Sequence, residues 1–269
     1  MSMKEWKQQI QTKWLAKQIY VYEEIDSTNL EAGRIAHQGN FEDTWQNGTL
    51  VIADKQTAGR GRRGRVWESP ADGNLFYSIL LKPDIAPDKA SMLTLVMALS
   101  VAKGIEEVTG MPCAIKWPND IVINRRKVCG ILTEMEVDSN GIHHVIIGVG
   151  INVNMTDIPQ ELSDTATSLT IESGQTVSRN GLLAAVLRCF EADYETFLLT
   201  EDLSELQERY QAHLINRNQM VRVLDPQHEF EGVAEGINAV GELLVRKTDG
   251  TVEAVYAGEV SVRGLYGYV

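Results

Sequence analysis

Two patterns of apolar and polar residues divide the chain, and the first of them covers residues 1–216. In this part, apolar runs of strand length alternate with longer segments whose apolar residues recur at helical spacing. The predicted strands are residues 50–53, 74–81, 114–117, 121–123, 128–135 and 145–153. The predicted helices are residues 4–18, 28–38, 90–108, 180–199 and 203–214, and residues 156–178 form a polar loop region. We predict an α/β (α+β) domain in which helices pack on a mixed or antiparallel central sheet.

From residue 217 onward the pattern changes to short strands at close spacing. The predicted strands are residues 221–224, 230–237, 242–246, 252–256 and 260–262. Turn residues separate them, among them Asp225-Pro226 and Asp249-Gly250. Five short strands within about fifty residues favour a small β-barrel, so we predict a second domain over residues 217–269.

The composition is that of an ordinary globular protein and excludes several classes. The chain has 269 residues, of which 43% are hydrophobic and 23% are charged. No apolar stretch reaches the roughly eighteen residues of a membrane span, and the N-terminus has no signal-peptide core. The three cysteines fit neither a disulfide framework nor a zinc-binding spacing. We therefore predict a cytosolic protein that does not bind membranes.

A cluster of arginines interrupts a chain that is otherwise acidic. The formal net charge is -12, which argues against non-specific binding to nucleic acid. Residues 59–65 nevertheless read Gly-Arg-Gly-Arg-Arg-Gly-Arg. Glycine lets backbone N–H groups approach a ligand, and arginine offers a planar fork for carboxylate and phosphate oxygens. A solvated basic loop would have the same composition, but its position between two predicted core strands favours a loop that closes over a small anion.

The start of the helix at residues 28–38 has two interpretations that can coexist. Thr28 and Glu31 fit a capping box, and Gly39 is a plausible C′ residue for the same helix. The N-terminus of a helix also presents hydroxyls and N–H groups to a ligand. Capping is the structural interpretation, and ligand binding is the functional one.

Two adjacent histidines and one cysteine receive structural interpretations. His143 and His144 should face opposite sides of a predicted strand, so we do not expect them to bind one metal ion together. Cys129 lies in an apolar strand and is predicted to be an inert core residue.

Five motifs in a fixed order resemble those of the biotin–protein ligases. In chain order they are Ser27-Thr28-Asn29, residues 56–65 followed by Trp67, residues 116–120 (Lys-Trp-Pro-Asn-Asp), residues 126–132 (Arg-Lys-Val-Cys-Gly-Ile-Leu) and residues 148–154 (Gly-Val-Gly-Ile-Asn-Val-Asn). Residues 258–263 are similar to the end of that family's C-terminal SH3-like barrel. Each motif alone is weakly specific, whereas all of them in this order are strongly specific. Because only about 25 residues precede the first motif, the chain resembles the short form that lacks an N-terminal DNA-binding repressor domain.

The resemblance implies a class II synthetase-like ligase core and a reaction in two steps. The carboxylate of biotin attacks the α-phosphate of ATP and gives biotinyl-5′-adenylate and pyrophosphate. A lysine on the biotin carboxyl carrier domain of a biotin-dependent carboxylase then accepts the biotin, and AMP is released. The implied cofactors are ATP and Mg²⁺, biotin is the implied substrate, and the resemblance leaves a homodimer open.

The resemblance also assigns roles to individual residues. The implied catalytic residues are Arg62 and Lys127, of which Lys127 would reach both the biotin carboxylate and the α-phosphate. The implied biotin-binding residues are Ser27, Thr28, Asn29, Gln56, Gly59, Arg60, Gly61, Arg62, Trp67, Lys127, Gly130, Gly148 and Gly150. The implied ATP-binding residues are Arg62, Arg65, Lys116, Trp117, Asn119, Lys127 and Asn152. Asp120 is the implied Mg²⁺ ligand, with a turn residue as its structural alternative, and Glu259 and Arg263 would complete the nucleotide or acceptor site.

Two other functions remain as alternatives at this point. A lipoate–protein ligase would share the fold and the acyl-adenylate chemistry, and binding of biotin against lipoate would separate the two. The arginine-rich loop and the predicted C-terminal barrel favour biotin. A nucleic-acid-binding regulator is disfavoured by the net charge and by the absence of a predicted N-terminal DNA-binding module, and salt-dependent DNA binding would test it.

Overall fold

A mixed seven-stranded sheet organises the first domain. The computed structural model describes residues 6–38, 44–65, 67, 73–225, 228–257, 261–264 and 268–269. The strands of this sheet are β1 (Ile19–Ile25), β2 (Thr49–Gln56), β3 (Leu75–Leu81), β4 (Ala114–Lys116), β5 (Asp120–Ile123), β6 (Arg126–Asp138) and β7 (Gly141–Ile151). Their order is β1-β2-β3-β7-β6-β5-β4, in which β1 and β2 are parallel and all other neighbours are antiparallel. The predicted mixed sheet is thus confirmed.

The helices in the described part of the chain connect and cover these strands. They are α1 (Thr28–His37), α2 (Leu93–Thr109), α3 (Leu169–Ser173), α4 (Arg179–Thr200) and α5 (Gln207–His213). Helices α2 and α4 approach closely at Gly104, where an added Cβ would lie 2.6 Å from Cγ2 of Val186. Gly110 ends α2 in the left-handed region at φ 69°, as expected of a C-terminal glycine. None of these helices combines the length and apolar character that crossing a membrane requires.

Helices cover both faces of the sheet, which explains why strand β3 is almost entirely apolar. All seven residues of β3 are buried. Tyr77 and Ile79 belong to the larger core, which contains residues of α2 and α4. Leu80 points to the other face and joins a smaller core with Ile35 of α1. Ser78 lies on this second face, and it is the single polar residue of the strand.

The second domain is a five-stranded antiparallel sheet. Its strands are β8 (Gln219–Leu224), β9 (Phe230–Ile237), β10 (Leu243–Arg246), β11 (Val252–Val255) and β12 (Ser261–Gly264), in the order β11-β10-β9-β8-β12. Trp117 of the first domain donates its indole N–H to the carbonyl oxygen of Gly241 at 3.1 Å, and the amide of Leu203 donates to Ala239 at 2.7 Å. These contacts attach the small domain beside β4, so that its end can border a site on the first domain.

The predicted helix over residues 4–18 is wrong from residue 8 onward. Residues 6 and 7 are helical, and from there the chain runs in turns and irregular segments up to β1. The side chain of Glu191 accepts the backbone N–H groups of Lys13, Trp14 and Leu15 at 2.8, 2.9 and 3.0 Å. A carboxylate from α4 therefore satisfies donors that would otherwise bond within a helix. Strand β1 and helix α3 were not predicted, since neither shows a clear apolar period.

The helix predicted from Thr28 is confirmed as α1, but the capping box predicted for Thr28 and Glu31 is wrong. Ser27 is the N-cap residue, and its side chain makes no capping hydrogen bond. Thr28 donates its hydroxyl to Gln56, and Glu31 accepts from Tyr22 and Arg34. The predicted C′ residue, residue 39, lies outside the described residues. The polar residues at this helix end are therefore used for tertiary contacts.

The prediction that His143 and His144 face opposite sides is also wrong. The pairing of β6 with β7 shifts register at this point, since Glu136 pairs with His144 whereas Val137 pairs with Ile142. His143 is thus an extra residue in a β-bulge, where strict alternation of side chains fails. The Nδ1 atoms of the two imidazoles lie 2.7 Å apart.

Replacing Glu191 by alanine should destabilise the fold. The substitution leaves three buried or part-buried N–H groups without their acceptor, so we expect the free energy of unfolding to fall by about 3 kcal/mol. Glu195, one turn further along α4, accepts from the exposed Lys13 side chain and from Trp14, both at 3.2 Å. Replacing Glu195 by alanine should cost less than about 1 kcal/mol, and urea unfolding of both variants measures the difference. Equal losses would contradict the role given to Glu191.

Candidate active site

A small cavity lies between the N-terminus of α1 and the strands β6 and β7. Its volume is about 50 Å³. Oε1 of Gln56 accepts hydrogen bonds from the amide of Thr28 at 2.8 Å and from its hydroxyl at 3.1 Å. Asn29 donates its side-chain amide to Oε2 of Glu134 at 2.7 Å. The cavity is therefore lined by fixed donors and acceptors within an otherwise apolar sheet face.

Two residues that the sequence analysis missed organise this cavity. Oγ of Ser78 lies 2.8 Å from Oγ1 of Thr28 and 2.6 Å from Oδ1 of Asn29. The carboxylate of Glu134 bridges Asn29 to Arg60, whose Nη2 lies 3.0 Å from Oε1. A lone serine inside the apolar run of β3 is a signal that could have identified Ser78. Glu134 gave no comparable signal, because an acidic residue in a strand usually faces solvent.

Three glycines make room for the side chains that form the cavity walls. A Cβ on Gly148 would lie 2.0 Å from Oδ1 of Asn29. Cβ atoms on Gly130 and Gly150 would lie 2.8 Å from ring atoms of Trp67. The glycines thus allow Asn29 and Trp67 to approach the strand backbones, which a larger residue would prevent.

A larger cleft of about 1020 Å³ adjoins the small cavity and reaches the second domain. Its wall carries positive side chains from five segments of the chain, namely Lys55, Arg62, Arg63, Arg65, Lys116, Lys127 and Arg263. Trp117, Asn119 and Asn152 also border it. Such a concentration of cations in an acidic protein favours a polyanionic ligand. Glu259, which the resemblance placed near this site, lies outside the described residues.

Lys127 and Arg62 lie where the two cavities meet, since both residues line the small cavity and the large cleft. Nζ of Lys127 is 2.6 Å from Oδ1 of Asp120 and 4.9 Å from the centroid of the Trp67 ring. The phenol of Tyr268 donates to the other oxygen of Asp120. Asp120 therefore fixes the ammonium group of Lys127 at the junction.

The charges around Asp120 set the protonation of this cluster. Burial on its own would raise the pKa of Asp120, but Lys127, Lys116 and the hydrogen bond from Tyr268 lower it below its usual range. Asp120 is thus ionised at neutral pH. Burial lowers the pKa of Lys116 to about 8, even though Asp120 acts in the opposite direction. The ammonium of Lys116 lies 3.7 Å from the centroid of the Tyr268 ring.

The arginine-rich loop is folded against both domains. The amide of Gly61 donates to the carbonyl of Arg65 at 2.8 Å, and Arg63 takes a left-handed conformation at φ 59°. Nη1 of Arg62 donates to Oδ1 of Asn119 at 2.9 Å, and Nη2 donates to the carbonyl of Ala257 at 2.7 Å. Arg62 therefore links the loop to the first and the second domain at once.

The carboxylate of Asp120 was predicted to hold Mg²⁺, and its surroundings do not fit that role in this arrangement. Both of its oxygens are engaged, one by Lys127 and the other by Tyr268. An ion at the ~2.1 Å distance that Mg²⁺ requires would displace one of these partners. That Asp120 binds Mg²⁺ stays a prediction, and we assign no step of the chemistry to it.

Comparison with known proteins identifies the family. The chain matches the Biotin/lipoate A/B protein ligase family over residues 21–152 and the Biotin protein ligase C terminal domain over residues 218–263. It is 37% identical over 255 residues to the bifunctional ligase/repressor BirA of Bacillus subtilis, across 94% of this chain and 76% of that protein. The chain belongs to the biotin protein ligase family. It is also 32% identical over 248 residues to the biotin–[acetyl-CoA-carboxylase] ligase of Paracoccus denitrificans, across 89% of this chain and 98% of that protein.

A solved biotin protein ligase shares the same architecture. The structure of the Aquifex aeolicus enzyme in complex with biotin and ATP superimposes with a TM-score of 0.79 at 31% identity, across 92% of this chain and 99% of that one. Among the described residues, every site residue that the resemblance to biotin protein ligases implied lines the small cavity or the large cleft. Trp117 is deeply buried, being 1% exposed.

Proposed function

We propose that the protein is an ATP-dependent biotin–[acetyl-CoA-carboxylase] ligase. It activates biotin as biotinyl-5′-adenylate and transfers the biotinyl group to a lysine of a biotin carboxyl carrier domain. The observation that carries this proposal is the junction of the two cavities at Lys127 and Arg62. A small polar-lined cavity suits the ureido ring of biotin, a large cationic cleft suits ATP, and the reacting groups would meet between them.

The small cavity supports binding of the ureido ring through residues that are already fixed. Hydrogen bonds set the orientations of Thr28 and Asn29 before a ligand arrives: Gln56 and Glu134 accept from them, and Ser78 donates to Asn29. Such preorganisation reduces the entropy lost on binding, and it penalises ligands that leave a buried donor or acceptor unpaired. A dithiolane ring has no N–H or carbonyl to offer this set, so the cavity favours biotin over lipoate.

Charge stabilisation and positioning explain the first step. A carboxylate oxygen of biotin attacks the α-phosphorus of ATP and forms a new oxygen–phosphorus bond. The bond between the α-phosphorus and the oxygen bridging to the β-phosphorus breaks, and pyrophosphate departs with its electron pair. Both reactants are anions, and Lys127 and Arg62 lie at the point where they approach each other. Arg65, Lys116 and Arg263 line the cleft that would receive the leaving pyrophosphate. Cations fixed before the reaction stabilise the developing charge without reorganisation.

The arginine-rich loop supports the second step. A lysine amine of the acceptor attacks the acyl carbon, an amide forms, and AMP leaves with the electron pair of the acyl–oxygen bond. The mixed anhydride must be shielded from water until that amine arrives. Arg62, bonded to Asn119 and to the second domain through Ala257, holds the loop across the junction.

The position of Asp120 supports a role in orienting Lys127. Its contact at 2.6 Å keeps Nζ of Lys127 at the junction, and Tyr268 restrains the carboxylate in turn.

The three cysteines are free thiols, and burial raises the pKa of the Cys113 and Cys129 thiols. Inert, reduced thiols agree with the cytosolic location that we propose.

Affinity for ATP should fall as the pH rises through 8. In the free protein Lys116 has a pKa of about 8, below its unfolded value, and a nearby polyphosphate would raise that pKa. Above pH 8 the free side chain is neutral and must gain a proton when ATP binds, so the dissociation constant should rise by up to about tenfold per pH unit. Well below pH 8, Lys116 is protonated in both states and its contribution to the pH dependence disappears.

Calorimetric titration of ATP between pH 7.5 and 9 measures this effect. Titrations at pH 8.5 in buffers with different ionisation enthalpies should reveal proton uptake in the wild-type protein. The Lys116→Gln variant should bind ATP more weakly, with no such uptake and a flatter pH profile. If the profile of the variant remained as steep as that of the wild type, another group would be responsible.

The proposed function is tested by transfer to an acceptor. Incubation with biotin, ATP, Mg²⁺ and a purified biotin carboxyl carrier domain should give one biotinylated lysine, detected by intact mass. A carrier whose target lysine is changed to arginine is the matched control and should remain unmodified. Replacing biotin by lipoate should give no product, and lipoylation of a carrier in its place would contradict the proposal.

A further inference from the structure

A cluster of histidines lies outside the proposed active site, at the C-terminal end of α1. We call His37, Glu136, His143 and His144 the histidine cluster. Nε2 of His37 is 3.0 Å from Oε2 of Glu136. The ring of His37 lies 5.4 Å from that of His143 and 5.6 Å from that of His144, measured between centroids. Three of the chain's five histidines thus converge at one point.

Three separate elements build this cluster. His37 is the last residue of α1, Glu136 lies on β6, and His144 lies opposite Glu136 in the pairing of β6 with β7. The β-bulge at His143 turns that imidazole to the same side as its neighbour, and the two Nδ1 atoms share a hydrogen bond at 2.7 Å. Helix packing and strand register therefore bring these groups together without any motif in the sequence.

The donor set is that of a transition-metal site. One ligand atom each from His37, Glu136 and His144 can be chosen so that all lie within 4.8 Å of one another. Imidazole nitrogens with one carboxylate suit Zn²⁺ and related divalent ions, whereas Mg²⁺ and Ca²⁺ prefer oxygen ligands. His144 is the buried member of the set, at only 4% exposed.

We propose that His37, Glu136 and His144 bind a divalent transition-metal ion such as Zn²⁺. Ligand atoms around a tetrahedral zinc ion lie roughly 3.3 Å apart, so the side chains must draw together slightly from their present positions. The side chains of His37 and Glu136 are 55% and 48% exposed, so they have room on the solvent side for such a movement. Solvent provides the fourth ligand, as in other sites with three protein ligands.

His143 has a supporting role in this site. Metal-binding histidines usually hydrogen-bond through their second ring nitrogen, which fixes the orientation of the ring. The hydrogen bond between the Nδ1 atoms of His143 and His144 provides that contact. The ion would tie the end of α1 to the β6–β7 hairpin, and it would thereby stabilise the folded protein.

An ion pair without a metal is the competing explanation. His37 and Glu136 alone would form such a pair at the surface, as His213 and Glu106 do elsewhere at 3.3 Å. Such a pair does not account for the buried His144, or for His143 in the β-bulge, lying at the same point. His213 and Glu106 therefore provide a matched control, because they form a histidine–carboxylate pair that lacks further imidazoles.

The experiment is a titration of tag-free, chelator-treated protein with Zn²⁺ alone, followed by calorimetry and by thermal unfolding. Wild-type protein should bind one equivalent, and its unfolding temperature should rise with the zinc concentration. The exposed substitutions His37→Gln and Glu136→Gln should each weaken binding by at least about tenfold, whereas His213→Gln should bind as the wild type does. Binding of Co²⁺ should give the visible absorption of a tetrahedral site in the wild type and in His213→Gln.

Two results would overturn the proposal. One is the absence of stoichiometric binding at about 50 μM Zn²⁺, a concentration well above the dissociation constant that a site with three protein ligands should have. The other is unchanged Zn²⁺ affinity in both His37→Gln and Glu136→Gln, which would locate any bound ion elsewhere. Neither result bears on the ligase activity, since no residue of the histidine cluster takes part in the proposed reaction.

Discussion

Replacing Lys127 by glutamine should lower the rate of biotinyl-adenylate formation by about 10³-fold. The ammonium group lies at the junction of the two cavities, where the carboxylate and the α-phosphate would approach each other. Removing one preorganised charge of this kind costs on the order of 10²–10³ in rate. Biotin should still bind within a few-fold of the wild-type affinity, because the ureido site is built from other residues. Single-turnover assays with quenched sampling would measure the rate.

The control for this variant is Lys89→Gln. Lys89 also pairs with a carboxylate, at 2.6 Å from Glu201, but it lies outside both cavities. Its replacement should leave adenylate formation unchanged. Because Asp120 loses a partner in Lys127→Gln, circular dichroism and urea unfolding must establish that the variant is folded. A folded Lys127→Gln protein that forms adenylate at the wild-type rate would refute the role of Lys127.

Replacing Arg62 by glycine should release the activated intermediate. The variant loses two charge-assisted hydrogen bonds that hold the loop, one to Asn119 and one to the carbonyl of Ala257. We expect the adenylate to dissociate about 10²-fold faster, equivalent to about 2.7 kcal/mol. Free biotinyl-adenylate would then acylate lysines of unrelated proteins, and labelling of serum albumin during turnover would measure it.

Arg63→Gly is the matched control for the loop. Arg63 is the next residue along, its side chain is exposed, and its backbone already adopts a left-handed conformation that glycine accepts without cost. This variant removes the same charge from the same loop and should retain the intermediate and label only the carrier domain. Equal promiscuity in both variants would mean that loop charge alone, and not the contacts of Arg62, retains the adenylate.

The sequence motifs predicted residues that line the two cavities, and local features of the chain made that possible. Glycines and cations at fixed spacing, as in residues 59–65 and around Lys127, are local features of the chain. The strand β3 and most of β7 also show their burial directly in their composition. Such signals depend on neighbouring residues alone, so they can be recognised in the sequence without knowledge of the tertiary structure.

The features that could not be predicted depend on contacts between distant residues. The carboxylate of Glu191 accepts hydrogen bonds from backbone N–H groups around Trp14, which lies 177 positions away in the chain. These bonds prevent the helix that the N-terminal sequence favours. Ser78 and Glu134 orient the cavity through side chains on other elements. A register shift in one hairpin, rather than any residue pattern, brings His143 beside His144.

The most direct test of the proposed reaction is a single-turnover experiment with wild-type protein, biotin, ATP and Mg²⁺ in the absence of a carrier. We predict one equivalent of pyrophosphate and one of enzyme-bound biotinyl-adenylate, with AMP released only after a carrier domain is added. Lipoate in place of biotin should yield neither product. Pyrophosphate release with lipoate but not with biotin, or no adenylate with either acid, would contradict the assignment of the small cavity to biotin.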